Sequence, residues 1–283
     1  MPILTPTARA AIASAVLSET PDIISTFSSA GATADSSFHL TLAPLPAADS
    51  PSLPAALTRV VNLDTYSAAR AMIRDGAVPS ETAVLNLASD LEPAGGWKRT
   101  LLETQEEALC YSSTLYATLR EEWYPWANSV AGGIWSPGVV VHRDTLANEC
   151  KRLPDDEVLV LGVVTIAAPR WQRVRKGEFA DPVVREGLLE KVRAVLRMAA
   201  GNGRRNLVLG AMGCGAYGCP PAATARDMAA VVQESEFKGW FERVWWAVVD
   251  PLGEGNGKVF TEACEGLTVG GGPAAEVEGA AVE

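Results

Sequence analysis

Gln105-Glu106-Glu107, set eight residues beyond a Gly95-Gly96 pair, are the side chains of this 283-residue chain best placed to do chemistry. Glycine lets a ligand approach main-chain N–H groups, and a carboxylate beside such a loop can give or take a proton. An apolar run, Ala83-Val84-Leu85, leads into the segment, so a buried strand should feed the loop and a helix should begin at the carboxylates. The same residues also fit a purely structural motif. Thr104-Gln105-Glu106-Glu107 reads S/T-x-x-E, a capping box in which Glu107 bonds back to the Thr104 amide.

A second glycine-rich stretch runs Gly210-Ala211-Met212-Gly213-Cys214-Gly215-Ala216-Tyr217-Gly218. It falls between an expected strand and an expected helix, where amides converge into an anion site. Gly213 to Gly218 spell G-x-G-x-x-G, the dinucleotide fingerprint. Several strands precede it, whereas that fingerprint sits in the first strand–helix turn; the acidic residue due about twenty residues onward would be Glu234 or Glu236, before the next strand begins. A nicotinamide-dependent oxidoreductase therefore rests on the string alone. An anion-binding loop, or a turn whose glycines serve packing only, remains.

The elements that must position these loops are legible from periodicity and capping. Residues 7–27 have Ala, Ile and Val spaced for a helix, with Pro21 interrupting it. Phe38 to Leu42 alternates as an edge strand, and Thr58 to Asn62 reads as another. Asp64 to Asp75 is a helix with Asp64 as N-cap. Ala83 to Ala88 is a buried strand and Glu106 to Glu121 a helix. A turn at Ser136-Pro137-Gly138 precedes a short strand, Gly138 to His142. Glu157 to Ala167 is a buried strand, and Asp181 to Ala200 an amphipathic helix with Pro182 at its first position. Asn206 to Ala211 is a strand, Pro220 to Gln233 a helix, and Phe241 to Val249 a last strand. Apolar strands alternating with helices imply a sheet covered on both faces, a single α/β/α domain over residues 1–264 with an N-terminal helical extension. Residues 265–283, rich in Gly, Ala and Glu, read as a disordered tail.

Bulk properties narrow the classes. A formal charge of −10 argues against a general or sequence-specific nucleic-acid binder. It leaves room for an anionic small ligand held by amides. The five cysteines (Cys110, Cys150, Cys214, Cys219, Cys264) are scattered, and the sequence opens without a signal-like segment, so they read as reduced thiols of an intracellular protein, cytoplasmic or nuclear. No stretch is apolar over a bilayer-spanning length, so no membrane association is expected. With only His39 and His142, an ordinary zinc site or a histidine-activated nucleophile is not expected. Trp245, Trp246 and Cys214 read as packing residues, His142 as a surface or edge residue, and Asp250 as a cap or turn residue. Trp97, beside Gly96, stands between core and cleft wall.

Taken in order, LNLAS, PAGGW, QEEALCYSSTLY, SPGVVVHRD, VVTIAAP and LVLGAMGCGAYGCPP resemble poly(ADP-ribose) glycohydrolases, specifically their compact microbial-type branch. Similarity runs from the Glu19-Thr20 region to about Phe260. The resemblance implies a macrodomain-like fold, a three-layer α/β/α arrangement with a mixed central sheet and a cleft for ADP-ribose at the strand ends. It implies that Gly213, Gly215, Ala216, Tyr217 and Gly218 wrap the diphosphate, with Tyr217 against the ribose. It implies Glu107 as catalytic acid, Glu106 and Gln105 positioning the distal ribose and the Gly95-Gly96 loop, and Asn86 on ribose hydroxyls. The substrate implied is poly(ADP-ribose) or ADP-ribosylated protein, the product ADP-ribose, with no cofactor and no metal. The residues themselves leave Glu106 and Glu107 open, because neighbours in a helix do not share a face; only the resemblance favours Glu107.

The family signature opens with three glycines, and here the first is Ala94. A position needing positive φ would strain alanine by about 1 kcal/mol or more, whereas one needing only a small side chain would cost nothing. An ADP-ribose-binding reader and a mono-ADP-ribosyl hydrolase are the alternatives. Gln105-Glu106-Glu107 speaks against a reader and Ala94 mildly for one.

Overall fold

The computed structural model describes residues 4–127, 131–250 and 255–272. In chain order, α1 (Pro6–Thr26) is followed by β1 (Ser37–His39), β2 (Thr58–Val61), α2 (Thr65–Arg74) and β3 (Thr82–Leu87). Next come α3 (Trp97–Thr100), a single turn, then α4 (Gln105–Ser112), β4 (Gly133–Val141) and β5 (Leu159–Ile166). A small hairpin, β6 (Val174–Arg175) with β7 (Glu178–Phe179), precedes α5 (Pro182–Gly201). The last elements are β8 (Asn206–Gly210), α6 (Pro221–Val232), β9 (Arg243–Ala247) and α7 (Asn256–Cys264).

One mixed sheet of seven strands runs β1-β4-β5-β3-β8-β9-β2. Strands β5, β3, β8, β9 and β2 run parallel to one another, and β4 pairs antiparallel with both β5 and β1. Side chains alternate across it: Ala83 and Leu85 of β3 pack with α5, α6 and α7, and Val84 packs with α1, α2 and α4. The expected three-layer mixed α/β arrangement is the one observed.

Where the chain leaves the sheet decides where a site can form. From β3 it passes to α4 on one face, and from the adjacent β8 it passes to α6 on the other. A crevice opens at the carboxyl ends of parallel strands at such a switch point. Helix starts follow their caps. Asp64 accepts the Ser67 amide at 3.0 Å, and Asp181 accepts Val183 at 2.9 Å with Pro182 in the first turn.

Several expectations are corrected. Helix α1 runs unbroken through Pro21, which is exposed, as is Leu17, whose carbonyl a proline at position 21 leaves without its helical donor. Helix α4 stops at Ser112 rather than Glu121. Ser113 Oγ bonds back to Leu109 O at 2.8 Å, and Thr114 trades bonds with Val140, so hydroxyls replace the helical ladder and draw the chain to β4. Ser136-Pro137-Gly138 is a bulge inside β4, not a turn before it: Ser136 pairs with Val163 and Val139 with Leu161. A side chain at 138 would collide with Gly31 O, and the pairing with β1 ends at Trp135, so Pro137 interrupts no ladder there.

Part of the expected tail is ordered. Leu267 O and Val269 N bond to Thr58 N and Ala56 O, both at 2.9 Å, and Val269 is buried. Gly270 N reaches Val232 O. Residues 265–272 thus belong to the domain, and the rest of the expected tail lies outside the described residues.

Candidate active site

Gln105 ties the start of α4 to the sheet. Its Oε1 accepts from Leu87 N at 2.8 Å, and its Nε2 donates to Leu85 O at 2.8 Å and Thr65 Oγ1 at 2.9 Å. This seats Glu106 against the end of β3. There Glu106 Oε1 accepts from Asn86 Nδ2 at 3.1 Å and Oε2 from Ser89 N at 2.7 Å. The residue is 2% exposed. Burial, reinforced by the neighbouring Glu107, pushes its pKa up to about 8 against the pull of the hydrogen bonds from Ser89, Asn86 and Ala94.

Glu107 is equally buried but differently held. Its Oε1 accepts from Thr100 Oγ1 at 2.6 Å and Leu102 N at 3.3 Å, and its Oε2 from Thr104 N at 3.2 Å and Thr104 Oγ1 at 2.9 Å. The capping box is therefore real. It does not remove Glu107 from the cleft, because Glu106 and Glu107 line the same cavity of about 490 Å³. Adjacent carboxyls thus differ in partners: Glu107 carries four donors, and burial favours the protonated form of Glu106.

The first glycine loop is a left-handed turn. Ala94, Gly95 and Gly96 have φ of 54°, 60° and 79° in succession. Ala94 thus occupies a conformation that costs an L residue about 1–2 kcal/mol. Its methyl is fully buried, and Gly95 faces the cavity with Glu106 Oε2 3.8 Å from where a Cβ would sit. Gly96 is turned away. A Cβ there would meet Glu92 Oε1 at 2.7 Å, so its glycine serves the turn rather than the ligand.

In the second loop the glycines divide in the same manner. A Cβ at Gly213 would lie 2.5 Å from Cys219 Sγ and 2.8 Å from Ala168 Cβ, and its φ is 73°. Gly213 is required by packing. Gly215 has no atom within 4 Å of a Cβ and no positive φ, yet it lines the cavity. Packing gives no reason for glycine there, and approach of a ligand to the backbone does. The amides of Cys214, Gly218 and Cys219 are spent inside the loop, on Ala211 O, Gly215 O and Gly213 O. Those of Gly215, Ala216 and Tyr217 have no partner among the described residues. Burial drives the Cys214 thiol up to about 12, which suits a packing residue.

Gly95, Gln105, Glu106, Glu107, Gly213, Gly215, Ala216 and Tyr217 are thus brought to one cavity. Asn86, Gly96 and Gly218 are not on its wall. Asn86 is fully buried, with its amide nitrogen donating to Glu106 Oε1 and to Thr165 Oγ1 at 3.2 Å, so it holds a carboxylate from behind. Trp97 is core, edge-on to Tyr111 at 5.4 Å. His142 is buried rather than at the surface. Trp245 and Trp246 are core as expected, and Asp250 Oδ2 accepts from Gly255 N, the residue preceding α7. Among the described residues no three His, Cys, Asp or Glu side chains gather as a metal site, and no helix is long and apolar enough to cross a membrane.

Comparison with known proteins bears on this geometry. Residues 19–144 match the microbial-type PARG catalytic domain, a span that includes the Gly95–Glu107 signature. The poly(ADP-ribose) glycohydrolase of Deinococcus radiodurans, solved in complex with ADP-ribose, is 31% identical over 73% of this chain and 83% of its own, with a TM-score of 0.61. The chain belongs to the poly(ADP-ribose) glycohydrolase family. The glycohydrolase of Thermomonospora curvata is similar over more of its length: 25% identity, 91% of this chain, 99% of that one, TM-score 0.73. The same enzyme with the inhibitor ADP-HPD gives 26% identity over 90% and 99%, with a TM-score of 0.71. No curated protein matches the chain.

For a glycohydrolase of this family the cleft is larger than its signature. A second cavity, of about 640 Å³, shares Leu87, Gln105, Ala211 and Gly215 with the first. It continues past Asn62, Asp64, Tyr66 and Val248, which sequence reasoning assigned only to strands, a helix cap and that helix. Ser89, Arg170 and Trp171 on the first cavity were missed as well. The one available signal was position: Ser89 lies in the segment after β3, and Arg170 and Trp171 in the segment after β5, both strands that end at the crevice.

Proposed function

We propose that the chain hydrolyses the O-glycosidic bond between ADP-ribose units of poly(ADP-ribose) and releases ADP-ribose. The observation that carries this reading is the buried Glu106-Glu107 pair in a cavity walled by Gly95, from the left-handed Ala94–Gly96 turn, and by Gly215, Ala216 and Tyr217 with their open amides. Those amides and the start of α6 suit a diphosphate. The reacting ribose then lies at the carboxyls, and the adenosine end extends into the second cavity. Polymer or ADP-ribosylated protein is the macromolecular substrate.

Cleavage passes through an oxocarbenium-like transition state, aided by a proton delivered to the leaving oxygen. Glu107 delivers that proton in this reading and then activates water; the diphosphate offsets the developing positive charge. Thr100, Leu102 and Thr104 must release part of their hold on Glu107 as substrate enters. A specific observation favours a second division of labour: burial raises the pKa of Glu106 to about 8, so this carboxyl holds a proton at neutral pH.

Release of ADP-ribose from automodified poly(ADP-ribosyl)ated protein tests both. Wild-type release that survives EDTA and vanishes in Glu107→Gln supports Glu107 as acid and base. Loss in Glu106→Gln with full activity in Glu107→Gln reverses the roles. No release, together with ADP-ribose binding by calorimetry, makes the chain a reader or a hydrolase of another linkage.

A further inference from the structure

We propose that Trp171 is a stacking platform for the purine of the unit that leaves when the bond is cut, outside the subsite that keeps the product; this rests on the glycohydrolase reading. Trp171 follows β5 and is 77% exposed, although tryptophan is a costly residue to leave in water. Its backbone is also strained, at φ 50°. The conformation is held from the phosphate loop, where Tyr217 O accepts from Trp171 N at 3.0 Å and from Gln172 Nε2 at 3.4 Å. The Arg170 guanidinium lies 5.3 Å from the indole centroid and 6.0 Å from the Tyr217 ring, and its Nε sits 3.1 Å from Asp90 Oδ1.

Two more apolar side chains stand at the same mouth, Leu91 at 51% and Leu102 at 54% exposure. An exposed apolar patch joined to a cleft marks a binding surface. The chemistry of its occupant follows from direction. Trp171, Arg170, Leu91 and Leu102 line only the cavity that holds Glu106 and Glu107, not the second one. With the product's adenosine in the second cavity and its distal ribose at the carboxyls, the scissile oxygen points toward the Trp171 side. In the polymer that oxygen belongs to the ribose of another adenosine. A flat indole beside a guanidinium fits a purine and its phosphate, and base–aromatic stacking needs no further readout. A single ADP-ribose on a protein offers no purine there, so Trp171 favours polymer.

The test compares Trp171→Ala and Trp171→Phe with wild type on poly(ADP-ribose), alongside ADP-ribose affinity by calorimetry. For Trp171→Ala the polymer KM should rise about tenfold, with kcat and the ADP-ribose Kd within about twofold of wild type, and Trp171→Phe should recover most of the loss. An unchanged polymer KM overturns the proposal. An equal loss of ADP-ribose affinity also overturns it, by placing Trp171 in the product subsite. If wild type releases nothing from polymer, the glycohydrolase reading fails first and the proposal falls with it.

Discussion

The side-chain amide of Asn86 donates to Glu106 Oε1 at 3.1 Å, joining the end of β3 to the first turn of α4. The bond fixes a buried carboxyl from behind, since Asn86 lies off the cavity wall and Glu106 lies on it. On this reading Asn86 acts as a positioning residue. Asn86→Ala should lower kcat about tenfold or more while KM changes little, and should destabilise the fold by about 1–3 kcal/mol. Steady-state kinetics and urea melts check this; a rise in KM alone would return Asn86 to ribose contact.

Glu106 should give the protein a pH dependence on the alkaline side. Its pKa rises from 4.5 to about 8 on folding because burial disfavours the charge. The folded state therefore binds this proton more tightly than the unfolded chain. Its stabilising contribution is complete below pH 4.5 and is lost as the pH climbs through 8. Urea melts between pH 5 and 9 should show wild type weakening across that window, with a flatter profile in Glu106→Gln. Parallel profiles would mean that Glu106 is already ionised at pH 5.

The two inner glycines of the second loop should separate stability from binding. Gly213→Ala meets Cys219 and Ala168 at a positive φ and should cost about 2–4 kcal/mol. A Cβ at Gly215 has no atom of the protein within 4 Å, and the residue lines the cleft, so Gly215→Val puts its side chain in the ligand's way. It should melt like wild type and bind ADP-ribose at least about tenfold more weakly. Calorimetry with thermal melts distinguishes the two, and full affinity in Gly215→Val would remove the loop from the site.

Ala94 invites a substitution in each direction. Ala94→Gly relieves about 1–2 kcal/mol of backbone strain but loses a buried methyl worth about 0.8 kcal/mol and loosens the unfolded chain. The net change should stay within about 1 kcal/mol of zero, with activity retained. Ala94→Val adds branching to a fully buried left-handed residue and should cost about 2 kcal/mol or more. Chemical denaturation of both variants gives the numbers.

Local chemistry explains what the sequence disclosed. Asp64 and Asp181-Pro182 announce helix starts, and uninterrupted apolar runs announce β3 and β5, because those signals act within one turn or one strand. Gln105-Glu106-Glu107 and the two glycine loops stand out by type and spacing. What stayed hidden depends on distant partners. Ser113 leaves α4 because Val141 is there to pair with it, and residues 265–272 are ordered because Ala56 and Thr58 offer a place to bond. Whether Trp97 or Trp171 faces water is settled by packing that neither residue's neighbours in sequence reveal. The direction of Asn86 likewise follows from a helix that begins almost twenty positions later.

The two cavities meet along a seam of only Leu87, Gln105, Ala211 and Gly215. A ligand that straddles the seam binds as two tethered fragments. Each half alone pays its full loss of freedom, whereas in the joined molecule the second half finds its cavity at high effective concentration. Fragments that fill one side should therefore bind feebly and remain displaceable, and a short linker across Gly215 should turn two weak inhibitors into a strong one.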